Sequence, residues 1–530
     1  MNPIRLPALV SALCLALPLA MPSWAAALAP ASDADPLRFL PERFETETHT
    51  VRLAGQDHEV RLHVYRHLPY VARPVDVAYQ SLDVKVPVAI DGRAVDASAA
   101  PIVLDITVGG YHSVNNAQGG GAMGMMPPGM PPPGAEGGPP PMGQAGAPAV
   151  PAGEGRGGQR SFTGGNGSRV DLALLAGYVV VTPGARGWDN QSADGRYFGK
   201  APAAIVDLKA AVRYVRHNAG RLPGNPQWIV SAGCSAGGGL SALLGASGNS
   251  PLYEAELRAV GAADAPDHVF ASACYSPITD LEHADMSYEW MYQGVATRRV
   301  KVDETVSREL AAAFPAHQDS LGLQGRAGFG PVTGARLASY MLQTYTQPSA
   351  TAYLRTLGQA EREAYLVANP WIRWDGQQAS FSFADYTVHV GPKKGAPAFD
   401  SLTLGTPENR LFGTATVDAR HFTPYSLRRA SGQADAELEP GLRQLVDMMN
   451  PMYFVAQQHP GMAAHWWLRN GSSDSDNAQS VMINLATGLE NRGRDVNAAL
   501  FWDGGHCADD DPQGMVDWIA QITGYRRPGR

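Results

Sequence analysis

Ser235 is the residue of this sequence best placed to act as a nucleophile. It stands at the centre of Gly233-Cys234-Ser235-Ala236-Gly237, after a short apolar run and before a run with the composition of a helix. A G-x-S-x-G segment between a buried strand and a helix is typical of a nucleophile elbow, a sharp turn that exposes the serine hydroxyl. The N-terminus of the following helix favours the negative charge that develops during attack on a carbonyl group. The pattern therefore predicts a serine nucleophile at residue 235.

A serine nucleophile needs a base, and the base needs a carboxylate that orients it. In proteins with this elbow, the acid and then the histidine follow the serine along the chain, on loops after later strands. His506 is the last histidine of the sequence, and both His506 and Asp474 follow apolar, strand-like runs. We interpret His459 and His465 as structural, because one precedes a proline and the other begins a strand. The predicted catalytic set is Ser235, Asp474 and His506.

Two cysteines flank this set, since Cys234 precedes Ser235 and Cys507 follows His506. If the serine and the histidine are within hydrogen-bonding reach, their neighbours can approach within disulfide range. We therefore expect a Cys234–Cys507 disulfide, with two buried free thiols as the alternative. Cys274 is interpreted as a core residue at the end of a strand.

Two backbone amides are expected to hold the oxyanion. One belongs to Ala236, directly after the nucleophile. The other comes from Gly109 or Gly110, which follow the strand-like run at residues 101–108. The sequence does not distinguish between these two glycines, and a tight turn without a binding role is the alternative for both.

The elements that must position these residues alternate between strands and helices. Residues 169–187 predict a short helix and a buried strand, and residues 201–220 predict an amphipathic helix that ends at a glycine. Residues 227–233 then predict a central strand, and helix and strand alternate again after residue 464. This order indicates an α/β protein with a parallel sheet covered on both faces. Residues 276–450 lack the alternation, so we expect an insertion over the sheet.

Composition and motif spacing bear on nucleic-acid binding, metal sites and cofactors. The 530-residue chain has 17% charged residues, a formal charge of −8 and no basic run, so we expect no nucleic-acid partner. The segments 280–285 and 507–511 contain residue types that bind metals, but neither has a recognised ligand spacing, and we predict no metal site. The predicted chemistry needs no cofactor.

The N-terminus and one internal segment have unusual compositions. Residues 1–25 predict a secretory signal peptide, with an uncleaved membrane anchor as the alternative. Residues 118–158 contain 14 glycines and 10 prolines, which predicts a disordered insert, with a proline-rich binding segment as the alternative. The expected organisation is a signal peptide (1–25), a core in two parts (26–275 and 451–530) and a lid domain (276–450). After signal cleavage we expect an exported protein without membrane attachment, in the periplasm or the medium; the sequence leaves the oligomeric state open.

From about residue 200 to residue 510 the sequence resembles the bacterial tannase family, whose members hydrolyse galloyl esters. The resemblance is carried by "SAGCSAGG", "YSPITDLEHADMSYEW", "KGAPAFDSLTLGTPENRLFG" and "RNGSSDSDNAQSVMINLATGLENRGRDVNAALFWDGGH". It implies an α/β-hydrolase fold with a mostly parallel sheet and a large inserted lid domain. The two flanking cysteines are similar to the Cys-Ser, Asp, His-Cys pattern of fungal tannases and feruloyl esterases.

The resemblance also implies a substrate pocket. Lys394, Glu408 and Asp476 match the family residues that hold the galloyl hydroxyls, and Ile278 and Pro407 match the apolar pair that sandwiches the ring. Lys393 is adjacent to Lys394 and is an alternative contact. Without the resemblance, a solvated lid surface would be the simpler interpretation of Lys394 and Glu408. Because Asp474 and Asp476 are two residues apart, both would face the same side of an extended segment.

These expectations define an exported serine esterase that hydrolyses galloyl esters, either small molecules or polyphenols. A feruloyl or other hydroxyaryl esterase is the alternative enzyme. An inactive binding protein with a hydrolase fold is the alternative from a different class.

Overall fold

The structure is a computed structural model that describes residues 35–115, 167–297 and 302–528. The chain divides into two units, Met1–Pro36 and Leu37–Arg530, and every element described below lies in the second unit. The predicted signal peptide (1–25) and the predicted disordered insert (118–158) lie outside the described residues.

A ten-stranded sheet forms the centre of the larger unit, in the order β1-β2-β3-β6-β5-β7-β8-β13-β14, with β4 paired to β3. The strands from β6 to β14 along this order run parallel, whereas β1, β2 and β3 pair antiparallel and β3 joins β6 antiparallel. The strands are β1 (Glu45–Leu53), β2 (Gln56–Pro69), β3 (Ser81–Ile90), β4 (Arg93–Ala94), β5 (Ile102–Ile106), β6 (Val179–Pro183), β7 (Ile229–Cys234), β8 (Ala271–Tyr275), β9 (Gln324–Gly325), β10 (Gly330–Pro331), β11 (Arg373–Trp374), β12 (Ala379–Ser380), β13 (His465–Gly471) and β14 (Asp495–Phe501).

Helices cover both faces of the sheet. Successive residues of a strand point to opposite faces, and here both faces are apolar. In β5, Ile102 and Leu104 pack into one hydrophobic core and Val103 packs into another. The described helices are α1 (Arg169–Leu175), α2 (Ala203–His217), α3 (Ala236–Ala246), α4 (Glu254–Val260), α5 (Leu281–Tyr292), α6 (Glu304–Ser320), α7 (Leu337–Met341), α8 (Gln347–Thr356), α9 (Gln359–Ala368), α10 (Phe383–Val390), α11 (Pro407–Leu411), α12 (Pro424–Ser431), α13 (Leu442–Met448), α14 (Pro451–Ala456), α15 (Gln479–Asn491) and α16 (Pro512–Thr523). Helices α1 and α16 pack on one face and α2, α3 and α15 on the other, which confirms the predicted mostly parallel sheet covered on both sides.

Helix α2 differs from the amphipathic surface helix that its periodicity predicts. Its polar side is largely buried as well, and Asp207, Lys209 and Arg213 form ion pairs. Lys209 donates a 2.8 Å hydrogen bond to Asp267, and both side chains are fully buried. The helix is therefore an interior element. Its buried charged side chains interact with other charged residues and not, as the amphipathic pattern suggests, with water.

The segment between β8 and β13 is mainly helical and contains two short strand pairs, β9 with β10 and β11 with β12. Its interpretation as a separate lid domain with boundaries at 276 and 450 stays a prediction. Among the described residues, no helix has both the length and the apolar character that crossing a membrane requires.

Candidate active site

The turn between β7 and α3 holds Ser235 in a strained backbone conformation, with φ of 60° and ψ of −126°. Small neighbours make this turn possible. A Cβ added at Gly233 would lie 2.4 Å from the carbonyl oxygen of Gly237, and one added at Gly237 would lie 2.8 Å from the carbonyl oxygen of Ile106. Contacts this short explain why glycine flanks the serine at both positions, and the turn has the predicted form of a nucleophile elbow.

The structure brings the three predicted catalytic residues together. His506 Nε2 lies 2.9 Å from Ser235 Oγ, and His506 Nδ1 lies 3.0 Å from Asp474 Oδ2. Asp474 is fully buried after β13, whereas the His506 side chain, after β14, is 18% exposed. Neighbouring parallel strands place these loops at the same edge of the sheet. Such a chain of hydrogen bonds can move a proton from a hydroxyl to an imidazole that a carboxylate orients.

The segment that carries the two aspartates contains turns and a bend and is not the extended strand that their spacing suggests. The Asp476 amide donates a 2.9 Å hydrogen bond to Asp474 Oδ1, so Asp474 uses one oxygen locally and the other toward His506. Both carboxylates nevertheless have an oxygen within 4.8 Å of a His506 ring nitrogen.

Two side chains that the sequence interpretation missed fix the Asp474 backbone. The carbonyl oxygen of Asp474 accepts hydrogen bonds from the Tyr292 hydroxyl at 3.1 Å and from Gln479 Nε2 at 2.9 Å. Tyr292 lies on α5 four residues after Tyr288, whose hydroxyl donates to the carbonyl oxygen of Ser475 at 2.6 Å. The i, i+4 spacing of these tyrosines indicates that they share one face of a helix. The spacing does not indicate which residues that face contacts.

Charges around His506 tune its basicity. Burial lowers the pKa of His506, but the charge and hydrogen bond of Asp474, together with the charge of Asp476, outweigh burial and raise it above its ordinary value. The positive charge of Lys394 acts in the opposite direction. The site thus makes the imidazole a stronger proton acceptor than an isolated histidine.

A disulfide joins Cys234 to Cys507, with a Cα–Cα distance of 5.7 Å, as the sequence predicts. The Cys507 amide also donates a 3.1 Å hydrogen bond to Ser276 Oγ, which fixes the start of the loop after His506. Cys274 is a free, buried cysteine, and burial raises the pKa of its thiol to about 12. The covalent bond therefore ties the histidine loop to the elbow, and burial disfavours the thiolate form of Cys274.

The predicted oxyanion donors lie at the start of α3 and in the turn after β5. Ala236 begins α3, and a turn places the Gly109 carbonyl oxygen 3.0 Å from the His112 amide. Gly110 has φ of 54°, and its carbonyl oxygen accepts a 2.9 Å hydrogen bond from Trp188 Nε1. The hydrogen bond from Trp188 fixes this turn, and a preorganised amide donor requires such a rigid backbone. The roles of Ala236, Gly109 and Gly110, and the choice between the two glycines, stay predictions.

The apolar pair of the predicted substrate pocket adjoins this turn. The Ile278 amide donates a 3.1 Å hydrogen bond to the Ser235 carbonyl oxygen, and the Ile278 carbonyl oxygen accepts one of 2.8 Å from the Tyr111 hydroxyl. A Cβ added at Gly110 would lie 4.0 Å from Pro407 Cγ. Ile278 is thus held next to the serine, and Pro407 lies beside the Gly109-Gly110 turn.

The charged residues of the predicted pocket lie near one another. Burial raises the pKa of Glu408 above its ordinary value, although the charge of Lys394 opposes the shift. The charge of Lys394 acts on both Glu408 and His506, so its ammonium group lies near both. This ammonium group lies 4.6 Å from the centroid of the Phe399 ring, an aromatic neighbour that the sequence interpretation missed. The binding roles of Lys394, Glu408, Asp476, Ile278 and Pro407 stay predictions.

Lys393 points elsewhere. Its ammonium group donates a 2.6 Å hydrogen bond to Glu289, and the two side chains are 3% and 0% exposed. Lys393 is therefore part of a buried ion pair, and of the two adjacent lysines only Lys394 faces the site.

Among the described residues, Asp280, His283 and His317 form the one group of three possible metal-ligating side chains that lies outside the site. His283 Nδ1 lies 2.9 Å from Asp280 Oδ1, and the rings of His283 and His317 stack with centroids 3.7 Å apart. The ligand atoms of the three side chains lie within 4.8 Å of one another, and His317 Nε2 lies 3.9 Å from Asp280 Oδ2. The absence of a metal site at residues 280–285 stays a prediction.

Known proteins share the fold and parts of the sequence of this chain. The BD-FAE family model matches residues 164–309. Esterase LipC from Mycobacterium tuberculosis is 41% identical over 95 residues, which is 17% of this chain and 23% of that relative, and the match to Esterase LipQ likewise spans 20% of that protein. The fold and these similarities define a carboxylic ester hydrolase of the α/β-hydrolase class.

Solved structures match almost the whole chain. Fusobacterium nucleatum tannase aligns with a TM-score of 0.73 and 29% identity, over 92% of this chain and 99% of that one. A tannin acyl hydrolase in complex with ethyl gallate aligns with a TM-score of 0.73 and 32% identity, over 92% of this chain and 98% of that one. The chain belongs to the tannase family.

Proposed function

We propose that this protein is an exported serine esterase that hydrolyses galloyl esters to gallate and an alcohol. The observation that carries the proposal is the hydrogen-bonded chain from Ser235 through His506 to Asp474. The residues of the predicted pocket supply two carboxylates, one ammonium group and two apolar side chains, and the charges of Lys394 and Asp476 act on His506. The similarity to a tannin acyl hydrolase with bound ethyl gallate supports the same substrate class.

The reaction begins when Ser235 Oγ attacks the ester carbonyl carbon while His506 Nε2 accepts the hydroxyl proton. Asp474 holds the imidazole in the required tautomer and stabilises the imidazolium ion that forms. The amide of Ala236 and an amide of the Gly109-Gly110 turn stabilise the oxyanion. The imidazolium then protonates the leaving alkoxide, and the ester bond breaks to give a galloyl-serine intermediate.

Water completes the cycle. His506 Nε2 removes a proton from a water molecule, which attacks the galloyl-serine carbonyl group, and the imidazolium returns that proton to Ser235 Oγ. Gallate leaves, and the histidine is again neutral. The raised pKa of His506 favours proton acceptance in both halves of the reaction.

Specificity for the galloyl ring comes from polar groups that need partners. Glu408 is buried, and Lys394 lies close enough to shift its pKa. A trihydroxylated ring supplies adjacent hydroxyl groups that hydrogen-bond to the Glu408 and Asp476 carboxylates and to the Lys394 ammonium group. A ring without hydroxyl groups leaves these groups desolvated and unpaired, which disfavours its binding much more strongly than a poor apolar fit would.

Export is part of the proposal because of the N-terminal composition and the cysteine chemistry. Residues 1–25 have the pattern of a signal peptide, and disulfides such as Cys234–Cys507 persist mainly in oxidising compartments. Detection of the mature protein, without its first residues, outside the cytoplasm tests this part.

The experiment that tests the function compares hydrolysis of methyl gallate, methyl ferulate and methyl benzoate by the purified protein, with Ser235→Ala as the blank. We expect a strong preference for methyl gallate that the variant abolishes. Equal or faster hydrolysis of methyl ferulate would replace the galloyl assignment by the hydroxyaryl esterase alternative. Hydrolysis of none of the three would favour a binding protein.

A further inference from the structure

Asp503 joins two helices outside the catalytic set to the loop that carries His506. It lies two residues after the end of β14 and three residues before His506. Its carboxylate accepts a 2.7 Å hydrogen bond from the hydroxyl of Tyr365 on α9 and a 2.8 Å hydrogen bond from Nε2 of His389 on α10. The two bonds use different carboxylate oxygens, so both helices are attached to the same side chain.

The backbone of Asp503 attaches this loop to the loop that carries Asp474. The Asp503 amide donates a 2.8 Å hydrogen bond to the hydroxyl oxygen of Ser472, which lies two residues before Asp474. The Ser472 amide in turn donates a 2.8 Å hydrogen bond to the carbonyl oxygen of Phe501. The two loops are therefore bonded to each other just before the residues that complete the catalytic set.

The groups that contact Asp503 are themselves fixed. The centroids of the Trp371 and His389 rings are 4.7 Å apart, and the His389 and Trp502 rings stack with centroids 5.7 Å apart. Trp502 Nε1 donates a 2.8 Å hydrogen bond to the Tyr365 hydroxyl. Asp503 itself has φ of 57°, a left-handed conformation that costs energy in a residue other than glycine. The surrounding contacts hold the residue in this conformation.

We propose that Asp503 is a positioning residue for the catalytic histidine. Its carboxylate holds the His506 loop against α9 and α10, and its amide holds that loop against the Asp474 loop. The result is that His506 Nε2 stays within reach of Ser235 Oγ. This inference rests on the proposed function and adds a residue that acts through the base. The predicted lysine and glutamate contacts of the galloyl ring lie outside both loops, so the effect falls on the rate and not on substrate affinity.

The test replaces Asp503 by asparagine, which has the same size and tolerates a positive φ better than most residues do. Asparagine has one acceptor oxygen in place of two, so Tyr365 and His389 cannot both keep their present bonds. We expect kcat for methyl gallate to fall about 10- to 100-fold, as for a misplaced catalytic group, while KM changes less than about twofold. An unchanged kcat, or a rise in KM as large as the fall in kcat, overturns the proposal.

Variants of the two donors test whether the helices act through Asp503. Tyr365→Phe and His389→Phe each keep an aromatic ring and remove one donor. Each should lower kcat, and neither should have its full effect in the Asp503→Asn chain, because the shared partner is already altered. Fully additive losses would mean that the helices act independently of Asp503 and would overturn the proposal. If Asp503→Asn does not fold, Tyr365→Phe/His389→Phe takes its place with the same expected kinetics.

The matched control is a second aspartate–histidine pair at the opposite ends of the same two strands. His465 Nδ1 lies 2.7 Å from Asp495 Oδ2, and these are the first residues of β13 and β14. Asp495→Asn should leave kcat and KM unchanged. A fall in kcat as large as that of Asp503→Asn would show only a general loss of stability between the strands, and the proposal would be wrong.

A measurement without a galloyl ester separates this inference from the proposed function. In the reaction with diisopropyl fluorophosphate, Ser235 Oγ bonds to phosphorus, fluoride leaves and His506 takes the hydroxyl proton. Mass spectrometry of the intact protein gives the labelling rate. In Asp503→Asn this rate should fall at least about tenfold, even if the unmodified protein hydrolyses no galloyl ester. Unchanged labelling overturns the inference even if methyl gallate is hydrolysed.

Discussion

The backbone amide of Lys394 donates a 2.9 Å hydrogen bond to the hydroxyl of Tyr288. The same hydroxyl donates to the carbonyl oxygen of Ser475, the residue after Asp474. Tyr288 is fully buried, and its ring contacts Phe399, which lies under the Lys394 ammonium group. One tyrosine therefore connects the loop of the predicted orienting acid to the loop of the predicted galloyl-binding lysine.

Replacing Tyr288 by phenylalanine should weaken substrate binding more than it slows chemistry. The change removes the hydroxyl that bonds to the Lys394 amide and to the Ser475 carbonyl oxygen, at a cost of about 1–3 kcal/mol. Since the Lys394 loop then loses its anchor, we expect KM for methyl gallate to rise about 5- to 30-fold while kcat falls less. Steady-state kinetics give both values.

A matched control distinguishes an effect on the Lys394 loop from an effect on the stability of the whole protein. Tyr178 is equally buried and donates a 2.8 Å hydrogen bond to the carbonyl oxygen of Val516 on α16, away from the site. Tyr178→Phe should lower the melting temperature without raising KM. A rise in KM of the same size in both variants would mean that Tyr288 acts only through global stability.

Two substitutions near His506 should move the acid limb of the pH–rate profile in opposite directions. The base must be neutral to accept a proton, so kcat/KM falls as the pH drops through the pKa of His506, which lies above the ordinary value of about 6.5. Asp476 raises this pKa, so Asp476→Asn should shift the acid limb to lower pH. Lys394 lowers it, so Lys394→Met should shift the limb to higher pH.

The midpoint of the acid limb is informative even where the variants also bind substrate less well, because it does not depend on the maximum rate. Asp57→Asn, at the exposed start of β2, is the control and should leave the midpoint in place. Shifts of Asp476→Asn and Lys394→Met in the same direction would contradict the electrostatic account of the site.

The disulfide should contribute to both stability and activity. It joins residues 273 positions apart, and the chain-entropy model gives about 5 kcal/mol as an upper figure for a loop of this length. Reduction, or Cys234→Ser with Cys507→Ser, should lower the free energy of unfolding and also kcat, since Cys507 adjoins His506. Chemical denaturation with and without reductant checks the first effect.

The double variant is the control for the reductant, since it should be insensitive to it. Cys274 should resist thiol reagents in the folded protein, because burial raises its pKa to about 12. Identical denaturation curves with and without reductant for the unmodified protein would show that the bond does not stabilise the fold.

The adjacent lysines should have separate effects. Lys393→Met leaves Glu289 as a buried, uncompensated charge, which costs about 3–5 kcal/mol of stability, and Glu289→Leu in the same chain should recover part of it. Lys394→Met should leave stability nearly unchanged but lower the preference for methyl gallate over methyl benzoate by about tenfold or more. Denaturation and kinetics on the three variants check this division, and the reverse division would contradict our placement of the pocket.

Regular elements and the predicted catalytic set could be read from the sequence because each has a local signal. β7 and α3 flank a motif with fixed spacing, and His506 follows a strand in the chain order that this hydrolase class uses. The disulfide followed from adjacency to that set. These inferences need only short-range patterns and one assumption about which strands are neighbours.

The substrate side of the site could not be derived in the same way. Its loops are held by contacts between residues far apart in the chain, such as the Phe399 and Asp400 amides donating to Asp285. Asp400 in turn accepts from the Thr423 amide and hydroxyl. Buried aspartates of this kind have no periodic signal and look like surface residues in a sequence, so only the resemblance pointed to Lys394 and Glu408.

The most direct test of the central claim is the identity of the covalent intermediate. The protein is quenched with acid during turnover of methyl gallate, and peptide mass spectrometry locates any galloyl adduct. We predict one galloyl group on the peptide that contains Ser235, and no adduct in Ser235→Ala. Steady turnover with no adduct on Ser235, or an adduct on another residue that persists in Ser235→Ala, would contradict the account.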